Sequence, residues 1–298
     1  MYLTGLADEA ADSIDDQIHA TQAVGWRRIE ARHVDGKNLH DLADDAFERV
    51  VDRLEESGIR VDCLASAIGN WAKRIDDPSD SSLEEAERAI ARMKRLGTRF
   101  VRVMSFAVLD GRSPDDQLQA ERFARLRDIC QMFGAHDLVV LHENCANYGG
   151  MGHPFTLELV ENVPGLKLVF DTGNPLFLDD RAKPSPHPKQ DSWEFYSAVK
   201  QHIARVHIKD GVWDHANQQM RFTFPGEGDG QVKRIVSDLL ESGYDGALSI
   251  EPNLRLNQGG DDRSARFDTY VDYGRRFMHL LDDLGWRASE AVEPVRKR

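Results

Sequence analysis

The chain is poor in cysteine, in long apolar runs and in positive charge. Its 298 residues include three cysteines, Cys63, Cys130 and Cys145, unevenly spaced and with no CxxC pair. That excludes a disulfide framework or a structural zinc knuckle as the organising device and fits a reducing cytoplasm. No apolar run approaches the ~18–20 residues that cross a bilayer. The opening MYLTGLADEA has neither the basic start nor the apolar stretch of a signal peptide, so a cytoplasmic protein with no membrane partner is expected. Only 38 Lys and Arg face 51 Asp and Glu, a formal net charge of −13. Proteins that bind duplexes need a basic surface to displace counterions, so nucleic acid is not an expected partner. Two catalytic signatures are also missing: no GK[ST] completes a P-loop, and no GxSxG elbow supports a Ser-His-Asp nucleophile.

What is present is a regular alternation of strand-like and helix-like runs in a chain that is 41% hydrophobic. Strands are expected near 3–7, 26–32, 59–66, 99–106, 137–144, 166–171, 203–210 and 246–252. Helices are expected over 14–24 (with Ser13 as N-cap), 42–57, 82–96, 114–133, 155–162, 193–200, 231–242 and 263–284. Gly25, Gly58, Gly97, Gly134 and Gly243 stand where helices should stop. Alternation implies parallel βαβ units. An open doubly wound sheet would alternate too, but eight units favour a (β/α)8 TIM barrel, for which ~250 residues is typical. One domain over 1–286 is expected, with a flexible tail over 287–298. The two richest loops, 175–191 and 211–230, should leave the same face of the barrel.

Four strand runs end on a residue able to hold a divalent metal: VVLHE at Glu143, KLVFD at Asp171, ARVH at His207 and ALSIE at Glu251. In a closed parallel barrel the carboxyl ends of all strands converge on one face. Each residue alone reads better as a packed or solvated polar group than as a ligand, and their spacing is no metal signature. Their place on strands five to eight of a barrel is what makes them a candidate centre. Two Glu, one Asp and one His form a mostly oxygen donor set, suited to Mn2+ or Mg2+, with Co2+, Fe2+ or Zn2+ as alternatives. On an octahedral ion two positions stay open, enough for neighbouring oxygens of a hydroxy-ketone. The C–H beside such a carbonyl is acidified toward an enediolate, and a carboxylate within reach can carry the proton.

The chain resembles the xylose isomerase-like TIM barrel superfamily of sugar isomerases, epimerases and related dehydratases. The resemblance rests on HEN at His142–Asn144, DTGN at Asp171–Asn174, HIKD at His207–Asp210, PGEGDG at Pro225–Gly230 and GYDGALSIEP at Gly243–Pro252. It covers the C-terminal half closely and the N-terminal half mainly through element order. It implies that Glu143, Asp171, His207 and Glu251 are metal ligands. By likeness to ketose 3-epimerases, Glu143 and Glu251 would also exchange the substrate proton on opposite faces, and a homodimer would be common. Two positions depart from those epimerases. They carry a His three residues after the Asp, where this chain has Asn174, and an Arg six residues after the metal His, where it has Trp213. Both normally touch substrate, so Asn174 and Trp213 are substrate candidates and the 3-epimerase substrate does not carry over. An endonuclease IV-like role is disfavoured: strands three and four end Ala65-Ser66 and Ser105-Phe106 without histidines, and Asp214-His215 is adjacent rather than spaced.

Further candidates carry two readings each. Lys209 lies two residues past His207, on the same side of the strand. It would either steady an enolate oxygen and donate a proton, as a third catalytic group beside Glu143 and Glu251, or pair with a carboxylate at the mouth. Glu30 would contact substrate or form a core ion pair with Arg32 or Lys209. Trp71 would stack on a sugar face or simply pack. Glu227, in the glycine-rich PGEGDG, fits a loop that shapes the pocket better than a phosphate cradle. His142 and Cys145 read as packed residues, and His153, His187 and His215 as solvated ones. The expected partner is a sugar or polyol. The leading function is isomerisation or epimerisation, with an inosose-type dehydratase second and a non-catalytic sugar-binding barrel third.

Overall fold

The computed structural model describes residues 1–78, 80–257 and 263–287. Its centre is one sheet of eight parallel strands: β1 (Tyr2–Gly5), β2 (Arg28–Ala31), β3 (Arg60–Ala65), β4 (Phe100–Val103), β5 (Val139–Glu143), β6 (Lys167–Asp171), β7 (Ile203–Ile208) and β8 (Ala247–Ile250). Neighbours follow chain order from β2 round to β8, which pairs with β1. The remaining seam, between β1 and β2, is joined by the single parallel bridge Leu6–Glu30. The result is a TIM barrel, wrapped by α1 (Ile14–Val24), α2 (Asp44–Ser57), α3 (Ser82–Leu96), α4 (Gln119–Gly134), α5 (His153–Asn162), α6 (Ser192–Val199), α7 (Val232–Glu241) and α8 (Arg263–Asp283). No helix among the described residues is long and apolar enough to cross a membrane. The domain limits 1–286 are not set by these contacts, and residues 288–298 of the expected tail lie outside the described residues.

The expected helix signals act locally. The Ser13 side chain accepts the Asp16 amide at 3.2 Å, a true N-cap. Gly25 closes α1 with φ 91°, a left-handed conformation that a side chain would resist. The apolar faces of the helices pack on the outer face of the sheet in one continuous core that includes Ile18, Val51, Ile90, Leu126, Ile235 and Phe277. A second, smaller cluster of Cys63, Leu141 and Val169 stands apart from it.

Two expectations fail for local reasons. α4 begins at Gln119, not at 114. The Gln117 side chain accepts the Leu109 amide at 2.7 Å and donates to the Leu109 carbonyl at 3.1 Å, which holds 109–117 as a loop. Leu118 then takes φ 55°, outside the helical region. The 211–230 segment is not simply loop: Asp210–Asp214 and Gln219–Thr223 pair as an antiparallel hairpin. A shorter hairpin, His33–Val34 with Lys37–Asn38, follows β2.

His40 lies in the turn after that hairpin. It is fully buried, and neither ring nitrogen has a hydrogen-bond partner. The Asp41 Oδ2 is 3.5 Å from Nε2, too far to count as one. Burial, aided by the Lys73 and Arg88 charges and opposed by Asp41, pushes the imidazole pKa down to about 4. Unfolded, the same group takes up a proton near ~6.5. Between those values the unfolded chain binds a proton the folded one refuses, so stability rises with pH through this window and is lost on acidification. Urea midpoints should fall between pH 6.5 and about 4 in the wild type, and a His40→Leu variant should show a shallower fall.

Candidate metal centre

Each candidate ligand sits where its strand ends. Glu143 is the last residue of β5 and Asp171 the last of β6, His207 is next to last in β7, and Glu251 directly follows β8. The β6–β7 register sets Asp171 beside His207. Leu141 and Val169 precede Glu143 and Asp171 by two residues, so the strand period puts this apolar pair on the same face, one layer below. All four candidate ligands are buried. One ligand atom from each lies within 4.8 Å of the others, the one such group of buried His and carboxylates found among the described residues.

His207 Nδ1 stands 3.3 Å from Glu251 Oε2, 3.5 Å from Glu143 Oε1 and 3.8 Å from Asp171 Oδ2. Donors about 2.1 Å from a magnesium-sized ion are about 3 to 4 Å apart, so this spacing fits. The chemistry fits as well. Asp171 Oδ2, Glu251 Oε2 and His207 Nδ1 are buried without a hydrogen-bond partner, a costly arrangement unless something else engages them. Besides His207 Nδ1, the two oxygens face the Lys209 ammonium, at 2.9 and 3.1 Å.

The surroundings turn one donor of each group inward by tying up the other. Arg102 Nη1 donates to Glu143 Oε2 at 2.9 Å, and Arg32 Nη1 donates to Glu251 Oε1 at 3.0 Å. The amides of Gly173 and Asn174 both donate to Asp171 Oδ1 at 2.8 Å. His207 Nε2 lies 3.1 Å from Glu30 Oε1. A carboxylate only accepts, so Nε2 carries a proton and Nδ1 is the ring atom that a metal would take. Burial disfavours a second proton, but Glu30, Glu143 and Glu251 outweigh it and hold the imidazole pKa well above its ordinary value while no cation is bound. Glu30 is held by Arg205 at 3.2 Å, and Arg205 also binds Asp62 at 2.6 Å.

These contacts set the ionisation of the cluster. Burial alone would raise every carboxyl. For Glu143 burial is the largest single effect, but the Arg102 guanidinium and His207 together outweigh it and bring the pKa to about 2. Glu251 is held well below the usual carboxylate range because Lys209, His207 and Arg32 together overcome its burial. Asp171 goes the other way, up to about 6: burial is the main cause and the Glu251 and Glu143 charges add to it, while Lys209 only partly offsets them.

The remaining candidates divide. Lys209 and Asn174 belong to the cluster: Lys209 Nζ donates to Asn174 Oδ1 at 3.1 Å, and Asn174 Nδ2 donates to Glu143 Oε1 at 3.3 Å. Glu30 lies behind His207 as a buried ion pair, but its partner is Arg205, not Arg32 or Lys209. Arg205 precedes His207 by two residues on β7, so the R-x-H alternation in ARVHIKD was a readable signal for the pair. Trp71 is 56% exposed on the loop after β3, and Trp213, on the long hairpin, has the Lys189 ammonium 4.1 Å above its ring. Glu227 points outward to Arg276 at 3.0 Å, with 54% of its side chain exposed.

The loop that carries Glu227 has a different purpose. The amides of Gly226, Gly228 and Gly230 donate to the Asp210 carboxylate at 2.8, 3.1 and 2.9 Å, and Gly211 adds a fourth at 2.9 Å. The loop therefore wraps an anion of its own, in the way a phosphate nest wraps a phosphate. A Cβ on Gly228 would sit 2.4 Å from the Asp210 Oδ1, so the close wrap requires glycine there. No role is legible in the sequence for Asp210, Arg102 or Asp62, because nothing in their local pattern marks them.

The family model described as xylose isomerase-like TIM barrel matches residues 18–268. The chain belongs to this family. Among solved structures, this xylose isomerase-like barrel is similar to a xylose isomerase-like TIM barrel protein from Mycobacterium smegmatis in complex with magnesium (16% identity, 95% of this chain and 99% of that one, TM-score 0.69). It is similar to the probable 3-DHS dehydratase AsbF of Bacillus anthracis (19% identity, 93% and 98%, TM-score 0.66). It is also similar to an L-ribulose 3-epimerase (17% identity, 99% and 98%, TM-score 0.66). At these identities the likeness is one of fold. No curated protein sequence matches the chain.

If Glu30 sets the His207 tautomer, Glu30→Gln should weaken Mn2+ binding by roughly 10-fold or more, the usual cost of losing a carboxylate behind a metal histidine. Isothermal titration of the metal-free protein checks this, and unchanged affinity would remove Glu30 from the centre.

Proposed function

We propose that this xylose isomerase-like barrel is a metal-dependent isomerase or epimerase of a sugar or polyol, moving a proton at the carbon beside a carbonyl. The supporting observation is the convergence of Glu143, Asp171, His207 and Glu251 on one point, each offering a single donor atom. The oxygen-rich set suits Mn2+ or Mg2+. An ion held there would polarise the carbonyl and its neighbouring hydroxyl. The formal net charge of −13 speaks for a small neutral or polar substrate rather than nucleic acid.

The chain's own residues supply the rest. Glu143 and Glu251 come from β5 and β8, with β6 and β7 between them, so they reach the centre from opposite sides. One can remove a proton from the substrate carbon and the other return it. Arg102 and Arg32 fix each carboxylate by its outer oxygen, which holds the inner one in place. Lys209 keeps its proton: burial opposes the charge, but Asp171, Glu251 and Glu143 outweigh it and raise its pKa. A buried ammonium there is a ready donor to an oxygen that gains negative charge.

The same Lys209 favours a second reading. An ammonium 3.1 Å from Glu251 is placed to protonate a departing hydroxyl once the neighbouring carbon has lost its proton. That is dehydration, the activity named for one of the structural neighbours.

Candidate ketoses and inososes incubated with Mn2+-loaded protein in deuterated water separate these outcomes. An isomerase or epimerase places deuterium on carbon without loss of mass as water. A dehydratase releases one water, and a non-catalytic barrel does neither. Glu143→Gln and Glu251→Gln should each lower turnover by about 100-fold or more, the usual contribution of a positioned acid or base. A double variant with full turnover would remove both enzymatic readings.

A further inference from the structure

Strand β2 supplies no candidate ligand, yet one residue within it and one just past its end, two positions apart, reach two of the four. Glu30 meets His207, and two residues later Arg32 meets Glu251. Arg32 does more than touch Glu251. Its Nε donates to Asp8 Oδ2 at 2.7 Å and its Nη2 to Glu9 Oε1 at 2.7 Å, while Nη1 holds Glu251 Oε1 at 3.0 Å. One guanidinium thus spans three buried carboxylates from two places: the turn just after β1, and the end of β8.

The location matters. β1 and β2 flank the seam that a single bridge closes, Leu6–Glu30, and Arg32 crosses that seam just above it. The acids it gathers outnumber its own charge, and further side chains approach them. His33 Nδ1 lies 3.0 Å from Asp8 Oδ2, and Arg255 Nε lies 3.4 Å from Glu9 Oε2. Arg266 donates to the Asp8 carbonyl at 2.7 Å and ion-pairs with Asp12 at 2.9 Å. The Arg32 fork is therefore fixed on two sides by acids that are themselves anchored, and its third arm sets where Glu251 Oε1 must lie. Glu251 Oε2 is left 3.3 Å from His207 Nδ1, facing the centre.

We propose that Arg32 is a positioning residue for the metal centre: it ties closure of the β1–β2 seam to the orientation of Glu251. The proposal rests on the metal reading of the site. Its geometric content is the planar fork, whose several donors point in fixed directions. A lysine ammonium is a compact point charge and cannot hold three carboxylates in that arrangement.

The test compares wild type, Arg32→Lys and Arg32→Met in two readouts: Mn2+ affinity by isothermal titration, and thermal midpoint of the metal-free protein. Both variants should bind Mn2+ about 10- to 100-fold more weakly, the range for loss of a group that orients a metal ligand, with Arg32→Met the weaker. A seam staple with no hold on Glu251 would lower the metal-free midpoint and leave Mn2+ affinity at the wild-type value; that outcome overturns the proposal. Should Arg32→Met fail to fold, Arg32→Lys decides alone: it keeps the charge, and wild-type affinity in it overturns the proposal equally. Wild-type protein that takes up no Mn2+ refutes the metal reading itself, and the inference with it.

Discussion

Three carboxylates cannot be buried side by side unless their charge is answered, and much of the barrel mouth follows from that constraint. An uncompensated buried charge costs several kcal/mol. Here the answer comes from strands that carry no ligand, as well as from the ligand strands themselves. Arg102 on β4 meets Glu143, Arg32 beyond β2 meets Glu251, and Lys209 beyond β7 lies between Asp171 and Glu251. Asp171 has backbone amides in place of an arginine, and it is the one carboxyl pushed upward, to about 6. A divalent cation at the centre would relieve Asp171 most, because two neighbouring carboxylates and burial all act against its charge.

Below the mouth the same principle continues inward. His207, Glu30, Arg205, Asp62 and Thr4 form a chain of contacts through β7, β2, β3 and β1. Barrels of this kind usually fill their interior with layers of branched apolar side chains. This one devotes part of that space to a polar column. Each member is engaged by the next, the condition under which a buried network specifies geometry rather than destabilising it. The column links β1 to β3 where Thr4 donates to Asp62, so the network that orients the histidine also helps tie the strands on either side of the weak β1–β2 seam.

The architecture and the four converging residues were legible because both follow from strand boundaries. An apolar β-branched run that stops on Glu143, Asp171 or Glu251 announces a strand end, and the parallel barrel makes all strand ends neighbours. The countercharges were not legible in the same way. Arg102 sits in RFVRVMSF with nothing local to set it apart from a surface arginine, and only the closed barrel brings it to Glu143. Glu30 was recognised as needing a partner, but the partner is 175 positions away on β7. In the long hairpin Gln219–Thr223 does alternate polar and apolar residues, but its partner Asp210–Asp214 does not, and Asp210 is held instead by the glycine loop it gathers.

Asn174 shows how a departure from the epimerase pattern can itself be informative. An imidazole at that position offers one donor and one acceptor at opposed angles. A primary amide offers both from a single planar group. Here the amide accepts from Lys209 and donates to the inner oxygen of Glu143. It therefore links the one buried ammonium of the site to one of its two candidate bases. In a site built only to return a proton to the carbon it left, that link has no obvious work to do. In a site where loss of a proton must be matched by protonation of a neighbouring oxygen, a shared amide between base and acid keeps the two in register. Asn174, taken together with Lys209, is thus the pairing in this barrel that bears on the second reading, loss of a hydroxyl.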